Sequence, residues 1–296
     1  MTGAAGFTGG HLAQRLQARG HRVFPLVERA TGAPDEVVAD LRDREALAAA
    51  VRSVAPDTVI HLAAIAFPAH ADVEAIYRTN LGGTLALLEV LAAGGHGARG
   101  VLLPSTATVY ASRSDAAITE DSPLAPASHY AVSKLAMEHM ARLFAATLPI
   151  VSVRPFNYTG PGQREPYLVP KVVRHFAQRA PLIELGNIDV ERDFLDVRTV
   201  ADAYVRLLDA QGVAGATFNL CSGVGTTVRG MVDRLAALTG HRIEVRINPQ
   251  FVRAGEPQRI VGSNARLVAA IGPLAMVPLD TTLADMLTAA EAPANE

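Results

Sequence analysis

The chain has 296 residues, of which 49% are hydrophobic and 19% are charged, and its formal net charge is -2. This balance is ordinary for a globular protein and gives no reason to expect binding to nucleic acid or to an anionic membrane surface. Cys221 is the only cysteine, which excludes an intrachain disulfide framework and a cysteine-rich metal site. The histidines contain no H-x-x-x-H pair, so no metal centre is expected. Because no charged leader and no long apolar run is present, a soluble cytoplasmic protein is expected.

The first element is a glycine-rich segment, in which Gly3, Gly6 and Gly9 lead into a helical pattern. This spacing permits a tight turn, and a helix that starts beside Phe7 would offer its N–H groups to a pyrophosphate. A dinucleotide-binding turn of this kind normally follows a strand. Only two residues precede Gly3, so we infer that several apolar residues of the first strand are missing.

Strand and helix patterns then alternate through the first half of the chain. Strands are predicted at 22–27, 37–39, 58–64, 100–105 and 150–153, and helices at 72–93 and 128–147. Such alternation indicates an α/β protein with a parallel, doubly wound sheet, which binds ligands at the carboxyl ends of its strands.

The second half alternates less regularly and is interpreted as a smaller lobe that binds the substrate. Its predicted helices lie near 169–179, 199–210, 227–238 and 264–271, and its predicted strands at 182–185, 217–221 and 242–247. The domains are expected to comprise 1–155 with about 196–222, and about 156–195 with 223–296.

The segment at 130–134 carries the clearest chemistry. On a helix, Tyr130 and Lys134 share one face, and an ammonium close to a phenol favours the phenolate. A phenol tuned in this way can move a proton at a carbonyl or an alcohol. Ser105 and Thr106 end a predicted strand, so they are candidates for the same site.

Two positions bear on the choice between NAD and NADP. Glu28 could hold a ribose 2′-hydroxyl group, whereas the neighbouring Arg29 could hold a 2′-phosphate, so the choice stays open. Asp40 and Leu41 follow the next short strand and are placed near the adenine.

Six motifs follow one another along the chain in the order that is typical of extended short-chain dehydrogenases/reductases, and the chain resembles that family. The matching residues are Gly3-x-x-Gly6-x-x-Gly9, Asp40-Leu41, His61-Leu62-Ala63-Ala64, Asn80, Ser105-Thr106 and Tyr130-x-x-x-Lys134. The segments at 154–157, 191–194 and 253–257 resemble the nucleotide-sugar branch, the NAD-dependent epimerase/dehydratase family. Within it, 154–163 and 186–197 are most similar to GDP-4-keto-6-deoxy-D-mannose reductases.

The resemblance implies a Rossmann-like fold and a role for each matching residue. Tyr130 would exchange a proton with the sugar C4 oxygen, Lys134 would lower the tyrosine pKa and bind the nicotinamide ribose, and Thr106 would hold the same sugar oxygen. NAD or NADP would contact Gly3, Gly6, Phe7, Gly9, Glu28, Arg29, Asp40, Leu41, Leu62, Ala63, Ala64, Asn80, Tyr130 and Lys134. The nucleotide-diphosphate sugar, with a GDP-sugar favoured, would contact Ser105, Thr106, Asn157, Arg192, Arg253 and Glu256.

The resemblance also implies an assembly. Related proteins dimerise through the helices that correspond to 72–93 and 128–147, so a homodimer is expected. Asn80 would support the lysine structurally.

The resemblance leaves three reactions and one non-catalytic role to distinguish. Dehydratases of this fold follow the threonine with an acidic pair, but Ala107 and Thr108 stand here, so dehydration is disfavoured. The same Thr/Tyr/Lys set serves both NAD(P)H-dependent reduction at C4 and 4-epimerisation with a tightly bound NAD. The second-half segments favour the reductase. A non-catalytic NAD(P)-binding sensor or scaffold protein is a further alternative.

Overall fold

The alternating strands of the first half form a parallel sheet, as predicted. The computed structural model describes residues 1–66, 72–94, 97–111, 116–252 and 257–291. Four strands pair in the order β3 (Thr58–Ile60), β4 (Gly100–Pro104), β5 (Ile150–Pro155) and β9 (Thr217–Leu220), and β1 (Leu26–Val27) pairs with β2 (Val37–Val38). Every one of these pairs is parallel. The predicted α/β class with a doubly wound sheet is confirmed.

Helices cover both faces of this sheet. One face carries α1 (Phe7–Ala18) and α7 (Val197–Asp209), and the other carries α2 (Arg44–Val54), α4 (Thr84–Ala93) and α5 (His129–Arg142). The predicted helix at 72–93 consists of α3 (Val73–Tyr77), a π-helical turn at Arg78–Gly83, and α4. Helix α5 begins after Ser128, whose hydroxyl accepts a hydrogen bond from the N–H of Ala131 and so caps the helix.

The first two residues lie in the sheet, between β1 and β3. Thr2 forms parallel bridges to Leu26 and to His61, and the N–H of Leu26 donates to the carbonyl oxygen of Met1 at 2.8 Å. Residues 1–2 therefore run as the end of a strand directly into the glycine turn.

Behind Met1 lies a cavity of about 740 Å³, bounded by residues 21–24 and 55–60 and by apolar side chains of both helical layers. The amino group of Met1 donates to the carbonyl oxygen of Phe24 at 2.8 Å. Burial lowers the pKa of this amino group to about 6.

We expect an apolar extension of four residues on Met1 to stabilise the protein. Continued in the strand direction of Thr2, it would run alongside residues 21–24 and 56–59 and fill the cavity. Each buried apolar side chain contributes about 1.5–3 kcal/mol, against roughly 1–2 kcal/mol for ordering each backbone residue. The added ladder hydrogen bonds contribute further. Thermal unfolding should therefore show a Tm several degrees higher. A Gly-Ser-Gly-Ser extension is the control, and an equal Tm for both extensions would contradict the expectation.

The second half builds a smaller mixed sheet around one central strand, β8 (Glu191–Asp196). It pairs in parallel with β6 (Asn157–Thr159) and β12 (Arg259–Ile260), and antiparallel with β10 (Gly225–Thr227). A separate parallel pair joins β7 (Leu182–Leu185) to β11 (Glu244–Ile247). The remaining helices are α6 (Leu168–Ala177), α8 (Val228–Thr239), α9 (Ala265–Ile271) and α10 (Leu279–Glu291).

A separate hydrophobic cluster joins α6, α8 and α10 to β7. The predicted domain boundaries stay a prediction. Leu267 of α9 is buried against the α1–α7 layer of the large sheet, although it lies in the range predicted for the smaller lobe. Within the described ranges, no helix has both the length and the apolarity needed to cross a membrane.

Candidate active site

Two glycines shape the N-terminal turn. Gly3 has a φ of +65°, and a Cβ atom there would lie 2.7 Å from the backbone nitrogen of Ala63. A Cβ atom on Gly9 would overlap the carbonyl oxygen of Gly3, whereas on Gly6 it would lie 3.2 Å from that oxygen. The turn packs this closely because no side chain intervenes. Helix α1 then begins at Phe7 without a side-chain cap, so its first N–H groups suit an anion.

Replacing Gly9 with alanine should therefore weaken dinucleotide binding. Overpacking of this kind costs about 1–3 kcal/mol, which corresponds to roughly 5- to 150-fold in Kd if the turn must open. Gly10 is the matched control, because a Cβ atom there meets nothing within 4 Å. Gly10→Ala should bind normally and gain up to about 1 kcal/mol of helix stability. Fluorescence titration with NADH and NADPH measures both variants, and equal affinities for the two would contradict the role given to the turn.

The predicted adenosine side of the site contains an arginine that sequence reasoning missed. Arg42 donates from Nε to Asp40 at 2.9 Å, and its Nη2 lies 3.3 Å from a carboxylate oxygen of Glu28. Hydrogen bonding from this guanidinium holds the pKa of Asp40 below its ordinary value. Arg29 is exposed beside them, and Leu41 is half-buried. Both predicted acidic side chains thus share one arginine, and carboxylate and guanidinium groups remain available to either dinucleotide.

The segment after β3 reaches the glycine turn. Leu62, Ala63 and Ala64 are partly buried, and the N–H of Ala63 donates to Thr2 Oγ1 at 3.0 Å. Asn80, in the π-helical turn, is buried behind this segment. Its amide accepts from the N–H of Ile65 at 2.8 Å and donates to the carbonyl oxygen of the same residue at 3.1 Å.

The three predicted catalytic side chains converge where β4 ends and α5 begins. Thr106 follows β4, and its Oγ1 accepts from the N–H of Thr108 at 3.2 Å. The Thr106 hydroxyl group also lies beside the phenol of Tyr130, in the first turn of α5, where it acts to lower the pKa of that phenol. One helical turn later, Lys134 is buried and donates from Nζ to the carbonyl oxygen of Pro104 at 2.8 Å. The ammonium is therefore bonded to the carboxyl end of β4, and the phenol lies beside Thr106 at the same strand end.

Burial controls the charges of this pair. It raises the pKa of Tyr130, although the hydrogen bond from Thr106 opposes the shift. It lowers the pKa of Lys134 to about 8, although the carboxylate of Glu138 opposes that shift. The prediction that Lys134 brings the tyrosine pKa below its ordinary value is wrong for this structure, because desolvation of the phenolate outweighs other influences. The ammonium is directed to Pro104 and to the sulfur of Met137.

A buried ion pair anchors α5 to the sheet. Arg154 donates to both carboxylate oxygens of Glu138, at 2.9 and 2.6 Å, and both side chains are almost fully buried. Arg154 also donates to the hydroxyl of Tyr110 at 2.8 Å, and that hydroxyl donates to Asn219 at 2.6 Å. Sequence reasoning missed this group. The sequence could have indicated Glu138, because it follows Lys134 by four residues and so lies on the same face of the helix.

Ser105 offers a polar atom without a partner. The residue is 2% exposed, and among the described residues its Oγ has no hydrogen-bond partner. A buried hydroxyl group of this kind carries an unmet desolvation cost. Its position next to Thr106 therefore fits a site that completes its hydrogen bonds with a ligand.

Tyr158 links the start of α1 to β6, and it was not singled out from the sequence. Its ring stacks on Phe7 with 6.2 Å between centroids, and its hydroxyl lies 2.8 Å from Thr8 Oγ1. Nearby, His11 Nε2 donates to the carbonyl oxygen of Pro161 at 2.9 Å. Burial raises the pKa of Tyr158, whose hydroxyl is therefore a neutral group in this wall of the site.

The predicted substrate residues of the second half are only partly described. Asn157 is exposed at the start of β6 and donates to the carbonyl oxygen of Asp193 at 3.3 Å. Arg192 is half-buried in β8 and donates to the carbonyl oxygen of the preceding residue at 2.9 Å. Arg253 and Glu256 lie outside the described residues. In the described part of the chain, no group of three or more histidine, cysteine, aspartate or glutamate side chains is arranged to hold a metal ion.

The site has the features of a nicotinamide-dinucleotide oxidoreductase of the α/β class: a glycine-built cradle at an uncapped helix, and a Thr/Tyr/Lys group at the neighbouring strand end. The family model of the NAD dependent epimerase/dehydratase family matches residues 1–221. The chain belongs to this family.

Two curated relatives align over most of the chain. GDP-6-deoxy-D-mannose reductase of Pseudomonas aeruginosa is 36% identical over 278 residues, which cover 90% of this chain and 88% of that protein. GDP-6-deoxy-D-talose 4-dehydrogenase of Aggregatibacter actinomycetemcomitans is 32% identical over 272 residues, which cover 92% and 90%.

Solved structures agree over nearly the whole length. A putative epimerase from Burkholderia cenocepacia has a TM-score of 0.92 at 43% identity, covering 99% of this chain and 97% of its own. RMD from Pseudomonas aeruginosa complexed with NADPH has a TM-score of 0.86 at 34% identity, covering 98% and 95%. Thermus thermophilus UDP-glucose 4-epimerase in complex with NAD has a TM-score of 0.84 at 30% identity, covering 98% and 97%.

Proposed function

We propose that the protein reduces the C4 ketone of a 4-keto-6-deoxy nucleotide sugar with NAD(P)H, and that the substrate is GDP-4-keto-6-deoxy-D-mannose. One observation carries the proposal. The Thr106 hydroxyl group and the Tyr130 phenol meet at the carboxyl end of β4. Two converging hydroxyl groups can hold one carbonyl oxygen, and this strand end is where ligands bind in such sheets.

The residues divide the proton chemistry between them. Tyr130, whose pKa is raised by burial, keeps its proton until a ketone oxygen develops negative charge, and then donates it. Thr106 holds the same oxygen by a hydrogen bond. Lys134 is mostly protonated at neutral pH, because its pKa is about 8, and its positive charge stabilises the phenolate left behind.

The residues present fit a nicotinamide dinucleotide. Gly3 and Gly9 would let the backbone approach the pyrophosphate, and the uncapped start of α1 would donate to it. Glu28, Arg29, Asp40 and Arg42 would surround the adenosine ribose. When bound, the dinucleotide supplies the hydride. The chain supplies the proton and the orientation.

Two features favour this substrate class. The two positions after Thr106 are Ala107, which is buried, and Thr108, whose N–H donates to Thr106 Oγ1. No carboxylate therefore stands there to drive elimination of water. Both curated relatives are named for GDP-6-deoxy-hexoses, which supports a guanine nucleotide here.

We assign contacts with the substrate to Ser105, Thr106, Asn157 and Arg192, and to Arg253 and Glu256 in the segment outside the described residues. A homodimer built from α3, α4 and α5 and a cytoplasmic location also stay predictions. The homodimer is supported by exposed apolar side chains on these helices. They are Val73 on α3, Val132 on α5, and Leu143 directly after α5.

The second candidate is a 4-epimerase, favoured by the similarity to a putative epimerase and to an NAD-bound UDP-glucose 4-epimerase. To separate the two, the purified protein is mixed with excess NADPH or NADH and GDP-4-keto-6-deoxy-D-mannose while the absorbance of reduced nicotinamide is followed. We expect one nicotinamide oxidised for each sugar reduced.

Interconversion of UDP-glucose and UDP-galactose without any net change in nicotinamide would instead establish the epimerase. Binding of NAD(P)H without turnover of either sugar would establish a non-catalytic sensor or scaffold.

A further inference from the structure

A chain of buried side-chain hydrogen bonds runs through His61, which the proposed reaction does not use. His61 Nδ1 lies 2.8 Å from Thr2 Oγ1, and its Nε2 lies 2.9 Å from Thr84 Oγ1. The three residues are between 0% and 3% exposed. Thr2 directly precedes the glycine turn, whereas Thr84 opens α4, so the imidazole ring joins two distant parts of the sequence.

The partners fix the direction of each bond. The Thr84 hydroxyl has one hydrogen and donates it to the carbonyl oxygen of Asn80 at 2.7 Å, so it must accept from His61. The ring therefore carries its proton on Nε2. Its Nδ1 then accepts from the hydroxyl of Thr2, which in turn accepts from the N–H of Ala63. Burial and the positive charge of Lys134 lower the pKa of His61 to about 3, so the ring stays neutral at ordinary pH.

The chain continues to the proposed proton donor. The side-chain amide of Asn80 donates to Ser133 Oγ at 3.1 Å, and the Ser133 hydroxyl donates to the carbonyl oxygen of Tyr130 at 2.8 Å. Asn80 lies in the π-helical turn, an irregular backbone that is frequent at functional sites. The connected groups thus run from the residue before Gly3 to the backbone of Tyr130.

We propose that His61 is a positioning residue: through Thr2 and Thr84 it couples the dinucleotide turn to the first turn of α5, and so sets the placement of the Tyr130 phenol. The part that concerns turnover rests on the proposed function. The coupling itself does not, because it is a property of the folded chain and can be measured without a sugar substrate.

The coupling is measured with ADP, which can occupy the glycine turn but has no nicotinamide to touch Tyr130. Hydrogen exchange of the backbone amides at 130–134 is compared with and without saturating ADP. In the wild-type protein, ADP should slow this exchange roughly two- to tenfold, the range that one buried hydrogen bond provides. In Thr84→Val the slowing should vanish, and in Thr84→Ser, which keeps the hydroxyl, it should return.

Thr282→Val is the matched control. Thr282 is also 0% exposed, and its hydroxyl donates to Asp196 at 2.7 Å, far along the chain in α10. Loss of the Thr282 hydroxyl group should lower the Tm about as much as Thr84→Val does, while the slowing of exchange by ADP stays intact. The proposal is overturned if ADP has no effect on 130–134 in the wild type, if Thr84→Val responds as Thr282→Val does, or if Thr84→Ser behaves as Thr84→Val.

The reductase assay adds a second readout. With saturating substrates, Thr84→Val should lower kcat by roughly two- to tenfold, whereas Thr282→Val and Thr84→Ser should not. Absence of turnover in the wild type would refute the proposed function and leave the ADP measurement to decide on the coupling. Normal kcat in Thr84→Val would show that the phenol keeps its place without this chain of bonds.

Discussion

Tyr130→Phe is expected to lower kcat for nucleotide-sugar reduction by about 10²- to 10⁴-fold, the range for removal of a general acid. The phenol is the proton donor, and phenylalanine keeps the ring but loses the hydroxyl group that meets Thr106. Because the glycine turn and the start of α1 are untouched, the Kd for NAD(P)H should stay close to that of the wild type. Stopped-flow turnover and fluorescence titration measure the two quantities.

Tyr110→Phe provides a comparison with a tyrosine outside the reaction. Its hydroxyl bridges Arg154 and Asn219, so its removal should reduce stability with little effect on kcat in the folded protein. An unchanged kcat in Tyr130→Phe, or a loss that matches Tyr110→Phe, would remove Tyr130 from the mechanism.

Lys134→Met is expected to abolish turnover and yet to stabilise the fold at neutral pH. Burial lowers the pKa of Lys134 from the ordinary 10.5 to about 8. Between these pH values the unfolded lysine binds a proton that the folded lysine does not, so the folded state loses stability as the pH falls through this window. The full penalty is present below pH 8 and is on the order of 3 kcal/mol.

Methionine fills a similar volume without a charge, so the variant escapes this penalty. Its Tm at pH 7 should exceed that of the wild type by several degrees, since 1 kcal/mol shifts Tm by roughly 2–4 °C for a domain of this size. The lost bond to Pro104 reduces the gain. The difference should shrink as the pH rises from 8 towards 10.5.

Lys171 is the only other lysine and serves as the control. It lies over the ring of Phe251 near the surface and donates to the carbonyl oxygen of Glu184. Lys171→Met should keep turnover and should not raise the Tm at pH 7. If Lys134→Met is less stable than the wild type at pH 7 by the same amount as at pH 10, the burial account of this lysine is wrong.

The sequence predicts best those strands and helices whose apolar residues recur with a strong period. The apolar strands before Ser105 and before Arg154, and the helix that carries Tyr130, were predicted and lie where expected. Strand β8 was not predicted, because its sequence Glu191–Asp196 is mostly charged. Its Asp193 is buried and accepts from the N–H groups of Ser222 and Gly223, contacts that local sequence cannot reveal. Helix α10 was also missed, although Leu279, Leu283 and Met286 recur at helical spacing.

The candidate site shows the same division. Spacing predicted that Tyr130 and Lys134 share a helix face, and the order of motifs indicated Thr106 as their neighbour. The direction of the pKa shift of Tyr130 could not be predicted, because it depends on how far the fold removes the phenol from solvent. The roles of Arg42 and His61 could not be predicted either, because Arg42 reaches Glu28 across 14 positions of sequence and His61 reaches Thr2 across 59.

Isotope transfer tests the central claim most directly. The protein is incubated with NAD(P)H that carries deuterium at the transferable C4 position of the nicotinamide, and with GDP-4-keto-6-deoxy-D-mannose. The account predicts one deuterium at C4 of the product sugar for each nicotinamide oxidised, and none in Tyr130→Phe over the same time. Product sugar without deuterium at C4, or a sugar that returns to its starting oxidation state, would contradict it.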